Sequence, residues 1–198
     1  MKNNLSKNFI KKISGGFTLV EVLIATTIFT IAVTGVVTVA VQGSVNISTA
    51  KNRLIANYLA QEGIELVRAK RDSYVLSSPT TYTDGWNNFI QLLSEDCTGP
   101  CDIDASSITD LSPAGSTTFV PCGDTLVACN LVYNPDGFYV HGTTGTQTPF
   151  IRELTFTPYY STGTQVVEIE VNSTVLWKDG SNPPITVNES LFNWYTSH

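Results

Sequence analysis

Residues 17–41 form an almost unbroken apolar run in which Glu21 is the one charged side chain, and residues 22–41 carry no charge at all. At about 1.5 Å per residue, a helix over that uncharged stretch reaches roughly 30 Å, the thickness of a bilayer's hydrocarbon core. Gly35 and the hydroxyls of Thr26, Thr27, Thr30, Thr34 and Thr38 would weaken a helix in water, whereas membrane helices and helix bundles tolerate them. The run therefore predicts a membrane-spanning helix. Beyond residue 41 the period stays helical but the composition becomes mixed. Ile55, Leu59, Gly63, Leu66 and Val67 recur at intervals of three and four, with Glu62 and Glu65 beside them. No proline falls between residues 17 and 71, so one long helix is expected, apolar all round in its first half and one-sided in its second.

The period changes to two near the C-terminus. In residues 165–177, Val167, Ile169, Val171, Val175 and Trp177 alternate with Glu168, Glu170, Asn172 and Thr174, the pattern of a strand with one wet face. Residues 150–160 place Phe150, Leu154, Phe156 and Tyr160 on one side, a turn follows at 161–164, and residues 185–192 supply a last strand after Pro183 and Pro184. This predicts a three-stranded antiparallel meander, whose apolar face the outer half of the long helix would cover. Residues 73–149 are rich in Ser, Thr, Gly, Asp and Asn, with Tyr74, Tyr82, Trp86 and Phe89 interspersed. They are expected to be loop-rich, with a short helix over 87–93. The fold class is α+β: a long N-terminal helix, transmembrane in its first half, packed on a C-terminal antiparallel sheet.

Charge sharpens the membrane reading. Lys2, Lys7, Lys11 and Lys12 precede the apolar run with no acid among them, while Lys51 and Arg53 alone follow soon after. The positive-inside rule then places the N-terminus in the cytoplasm and the bulk of the chain outside. After Gly16 there are seven basic and seventeen acidic side chains, about −10 in all. No nucleic-acid partner is expected of so acidic a body, because such affinity comes from Lys and Arg neutralising phosphates, and the small cluster Arg68, Lys70 and Arg71 does not reverse the balance.

Candidate chemistry is sparse. His141 and His198 are the two histidines, and the chain has no phosphate loop, nucleophile elbow or paired-histidine motif, so no enzyme and no cofactor are expected. Asp102, Asp104 and Ser106 could open a calcium loop, but the Gly and Glu such a loop needs further on are missing. They are expected to be solvated loop acids. Cys97 with Cys101 and Cys122 with Cys129 form two close pairs in loop surroundings, which suits disulfides in an oxidising compartment. Zinc is the rival, yet three and six intervening residues fit the usual knuckle poorly. Two local disulfides and no metal are expected, with a crossed pairing left open.

Where the chain would be cut matters most for function. A secretory signal has an apolar core of roughly 7 to 15 residues and is cut after it, near small residues such as Ala40 or Ala50. The run here is longer than that. Gly15 and Gly16 instead offer side-chain-free backbone before the run, which a protease can draw into an extended conformation, and cutting there keeps the helix in the product. Glu21 needs its own reason, since a carboxylate in a membrane helix costs about 2.5 to 3.5 kcal/mol on insertion scales. It would either snorkel to the cytoplasmic interface or pair with an amine freed at Phe17.

Lys11, Lys12, Gly15, Gly16, Phe17 and Glu21, followed by the run from Val22, resemble the class III leader of type IV prepilins and pseudopilins. The resemblance implies cleavage after Gly16 by a membrane prepilin peptidase, N-methylation of Phe17, and pairing of Glu21 with the terminal amine of a neighbouring subunit. Residues 56–72, ANYLAQEGIELVRAKRD, are similar to the helix end of many minor pilins and pseudopilins. The last cysteine, Cys129, lies well short of the C-terminus, unlike the closing disulfide of many major pilins. The expected product is thus a structural subunit, a minor one, of a pilus-like or pseudopilus filament. The alternative is a membrane-anchored extracytoplasmic binding domain that does not polymerise.

The implied organisation is a leader over 1–16, a transmembrane and filament-core helix over 17–41 and its amphipathic continuation over 42–72. A cysteine-containing loop-rich region over 73–149 and a β-meander over 150–198 complete it. Implied partners are the peptidase and methyltransferase, other pilin subunits and the membrane. Implied location is the cytoplasmic membrane as a single-pass protein, then a filament at the cell surface. The leader is common to pilus, secretion and DNA-uptake machines.

Overall fold

The structure, a computed structural model, describes residues 15–78, 81–103, 119–123, 129–141, 144–161, 163–177 and 183–193. The chain divides into two compact units, residues 1–49 and 50–198. Helix α1 spans Leu19–Ser77. In the first unit it is apolar enough to cross a membrane, and none of its apolar window is buried within the chain. In the second unit its inward face carries Ala56, Leu59, Ala60, Gly63, Ile64, Leu66 and Val67, the face expected from the three-and-four spacing. The helix runs past Asp72 because Val75 is still buried and the first proline after Phe17 is Pro79; a proline disfavours helical conformation in the residue before it.

The described residues between 73 and 149 hold more regular structure than the composition predicts. Instead of a short helix over 87–93 they contain α2, Tyr82–Asp96, a fifteen-residue helix. Thr81 caps it, accepting a hydrogen bond at its Oγ1 from the Asp84 amide at 3.1 Å. Trp86, Phe89 and Leu93, spaced by three and four, are its buried residues together with Gly85. Four short strands follow, β1 Cys101–Ile103, β2 Phe119–Pro121, β3 Asn130–Tyr133 and β4 Tyr139–His141. At three or four residues each they are too short to show a period of two, and β1 and β3 are held by pairing with a strand distant in sequence.

That strand is β5, Thr146–Tyr160, which with β6 Val166–Trp177 and β7 Ile185–Phe192 forms the predicted antiparallel meander. The meander is part of a seven-stranded sheet. One edge of β5 pairs along its length with β6, while its other edge is shared by β3, through Asn130 opposite Ile151, and β1, through Cys101 opposite Leu154. A register shift between Tyr159 and Tyr160 puts Val166 rather than Val167 on the buried face of β6. Ile169, Val171, Val175 and Trp177 follow it there.

Two apolar clusters join helix to sheet. One packs Ile64, Leu66, Val67 and Val75 of α1 with Trp86, Phe89 and Leu93 of α2 over Ile103, Leu154, Ile169, Val171 and Leu191. The other packs Ala56, Leu59 and Ala60 against Leu131, Phe150, Val175 and Trp177. Gly63 lies at the closest approach: a Cβ there would sit 2.7 Å from Ser173 Oγ and 3.2 Å from side-chain carbons of Arg152 and Leu154. The sulfurs of Cys97 and Cys101 are bonded, as are those of Cys122 and Cys129.

Candidate processing and assembly site

The start of α1 is set locally. Thr18 stands at the N-cap, with its Oγ1 accepting from the Glu21 amide at 3.2 Å and its carbonyl accepting from the Val22 amide at 3.2 Å. Thr18 and Glu21 are in the spacing of a capping box, a hydroxyl followed three residues on by a carboxylate, which satisfies donors that a helix end leaves open. The carboxylate also lies in the first turn, where the helix dipole favours negative charge. Phe17, one residue before the cap, is 81% exposed. Phe17, Glu21, Val22, Ala25, Thr26 and Phe29 line one shallow groove along the helix. The two glycines before it have no packing role: a Cβ on Gly15 or Gly16 would meet nothing within 4 Å.

The hydroxyls in the apolar run are satisfied without solvent. Thr26, Thr27, Thr30, Thr34 and Thr38 each donate to a carbonyl three or four residues back, at 2.8 to 3.0 Å. Each hydroxyl therefore brings its own acceptor into a lipid or protein interior, which removes most of the cost of burying it.

The outer unit holds a second polar cluster that the sequence pattern did not reveal. Arg152 lies on the buried face of β5 and is fully enclosed. Its Nε donates to both oxygens of Asp102, at 2.8 and 3.0 Å, its Nη2 to the Ile103 carbonyl at 2.8 Å, and its Nη1 to Glu62 at 2.9 Å. Asp102 is equally buried and also meets His141 Nε2 at 3.0 Å and the Ile103 amide at 2.8 Å. Burial works against the Arg152 charge, and Asp102 and then Glu62 more than offset it, so its pKa lies above the ordinary value.

Asp102 is therefore not a solvated loop acid, and its carboxylate is committed to an ion pair rather than open to calcium. Asp104 and Ser106 lie outside the described residues. The expected basic cluster is dispersed as well. Lys70 and Arg71 are buried, Arg71 bonded to Asp72, while Arg68 bridges Glu65 and Glu189. Among the described residues no group of three or more His, Cys, Asp or Glu is placed to hold a metal ion.

A helix that is apolar at its start and packed further on against an antiparallel sheet defines a pilin-like α+β protein. The family model for the prokaryotic N-terminal methylation motif matches residues 11–37, and the chain carries the class III leader of type IV pilins and pseudopilins. The motif supports a type IV pilin-like precursor, and the leader with its apolar helix supports membrane anchoring. Neither the curated proteins nor the solved structures give a match to this chain.

Proposed function

We propose that the chain is a minor subunit of a pilus-like or pseudopilus filament, cleaved after Gly16, methylated at Phe17 and assembled through the first half of α1. The observation that carries this reading is the bare apolar helix beginning two residues after Phe17, with every described side chain from Phe17 to Val41 exposed to its surroundings. Such a surface requires lipid before assembly and other helices after it. Gly15 and Gly16 support a role outside the fold, because packing does not require them. In this organisation residues 1–16 are the leader, 17–41 the membrane and filament-core helix and 42–72 its amphipathic continuation. Residues 73–149 and 150–198 form the extracytoplasmic head, and the N-terminus starts in the cytoplasm.

Glu21 supplies the register. In a low-dielectric filament core a carboxylate facing a neighbour's terminal amine is strongly favoured, and either charge left unpaired is costly. Subunits in the wrong axial position would leave both unpaired. The test is the ratio of this protein in sheared filaments to that in the membrane fraction for wild type and Glu21→Ala. The ratio should fall at least tenfold while the membrane level holds. An unchanged ratio refutes the register role, and absence of the wild-type chain from filaments favours a non-polymerising anchored domain.

A further inference from the structure

Strand β1 is three residues long, yet it supplies most of what neutralises the buried Arg152. Both oxygens of Asp102 and the carbonyl of Ile103 lie on it, whereas the remaining carboxylate, Glu62 of α1, is a third exposed. Among the described residues, backbone register holds β1 to β5 only where Cys101 faces Leu154. Its other backbone partner is β2, itself three residues long.

The covalent holds flank this pair of strands in sequence and meet at one end of it, where Cys101 faces Pro121 and the Cys122 amide donates to the Pro100 carbonyl at 2.9 Å. Cys97, which ends α2 and donates its amide to the Leu93 carbonyl at 2.9 Å, is bonded to Cys101, the first residue of β1. Cys122, the residue after β2, is bonded to Cys129, the residue before β3. Helix α2 is in turn rooted in the core by Trp86 and Phe89, and Trp86 donates to the Val166 carbonyl at 2.8 Å.

We infer that the two disulfides form a redox-dependent clamp on the Asp102–Arg152 ion pair. In the oxidised chain the end of the β1–β2 pair beside Asp102 is tied twice, through Cys101 to α2 and through Cys122 to the start of β3, and Asp102 stays against the guanidinium. In the reduced chain the same carboxylate is held by the described pairing of β1 with β2 and β5 and by His141 of β4. Its burial is repaid only while the geometry stays good, so β1 and β2 leave the sheet with their counter-ion while β5, β6, β7 and α1 remain packed. Burial of Ile103 and Phe119 opposes this release and sets its equilibrium.

Closure proceeds by thiol–disulfide exchange with a disulfide oxidant. The Cys97 thiolate attacks the oxidant's disulfide and expels one thiolate. The Cys101 thiolate then attacks the Cys97 sulfur and expels the other. The two thiol protons go to solvent, the oxidant takes the two electrons, and Cys122 with Cys129 follows the same course. The head thus completes its core once it reaches an oxidising compartment, whether or not the chain enters a filament.

Hydrogen–deuterium exchange of the full-length chain in detergent micelles, oxidised and after dithiothreitol, tests the clamp. Exchange at residues 101–103 should accelerate on the order of a hundredfold on reduction, while residues 150–153 and 166–177 keep their protection. Unchanged exchange at 101–103, or equal acceleration everywhere, overturns the inference. In a second arm, Asp102→Asn should shift the folding equilibrium by about a hundredfold in the oxidised chain. With all four cysteines replaced by Ser the shift should be less than a tenth of that, and equal shifts overturn the coupling. If the cysteine-free chain does not fold, the exchange result on reduced wild type decides.

Discussion

Gly85 allows a sharp test of how the two helices meet. A Cβ at this position would sit 2.5 Å from the Tyr74 carbonyl oxygen and 2.6 Å from the Val75 Cα, whereas carbon atoms pack best at about 3.5 to 4.0 Å. Both obstacles are backbone of α1, so no rotamer change relieves them and α2 must move by about 1 Å. Helix propensity favours Ala over Gly by about 1 kcal/mol, while overpacking with a backbone shift costs about 1–3 kcal/mol. Moving α2 also disturbs Trp86 and Phe89, both fully buried, which places the overpacking cost at the upper end. Gly85→Ala is thus expected to destabilise the outer unit by about 1–2 kcal/mol, lowering its melting temperature by about 3–8 °C. Tryptophan fluorescence during heating of the full chain in detergent reports it, since Trp86 lies at the contact. Gly99→Ala, where a Cβ meets nothing within 4 Å, should change the midpoint by less than about 2 °C. A Gly85→Ala chain as stable as wild type would refute the close-approach argument.

Trp86→Phe removes the donor to the Val166 carbonyl and leaves a small void, and should lower the denaturant midpoint by about 1–3 kcal/mol equivalent without changing the slope. A change below about 0.5 kcal/mol would mean that the bond between α2 and β6 contributes little. Burial raises the pKa of Glu153, so the folded chain holds that proton more tightly than the unfolded chain. Its contribution is fully present below the unfolded carboxyl pKa and is lost as pH rises through the folded one. Glu153→Gln should therefore gain in melting temperature over wild type between pH 4 and pH 7, and a gap that does not vary with pH contradicts this.

The elements legible in the sequence are the long or strongly periodic ones. The apolar run, the inward stripe from Leu59 to Val67 and the alternation in β6 each repeat often enough to show. Residues 101–141 are different in kind. β1 and β3 owe their conformation to pairing with β5, whose partner residues lie 53 positions on for Cys101 and 13 to 21 positions on for β3, and three or four residues carry too little pattern to betray that. Arg152 was hidden for a related reason: alternation with Phe150 and Leu154 puts it on the buried face, but only the partner on β1 explains a cation there. The pairing of β1 with β5 that brings Asp102 to Arg152 could not be read from spacing. At the proposed processing site the case is reversed, because the roles proposed for Gly16, Phe17 and Glu21 rest on local order and on partners outside the chain. Their sequence order carries nearly all of the information.

The most direct measurement of the central claim is the N-terminal mass of the protein extracted from the membrane and from filaments of its native host. The account predicts one species beginning at Phe17, with a single methyl group on its amine, and a leader of residues 1–16 released by a cut between Gly16 and Phe17. Protein that retains residues 1–16, or that begins beyond the apolar run near Ala40 or Ala50, would contradict it.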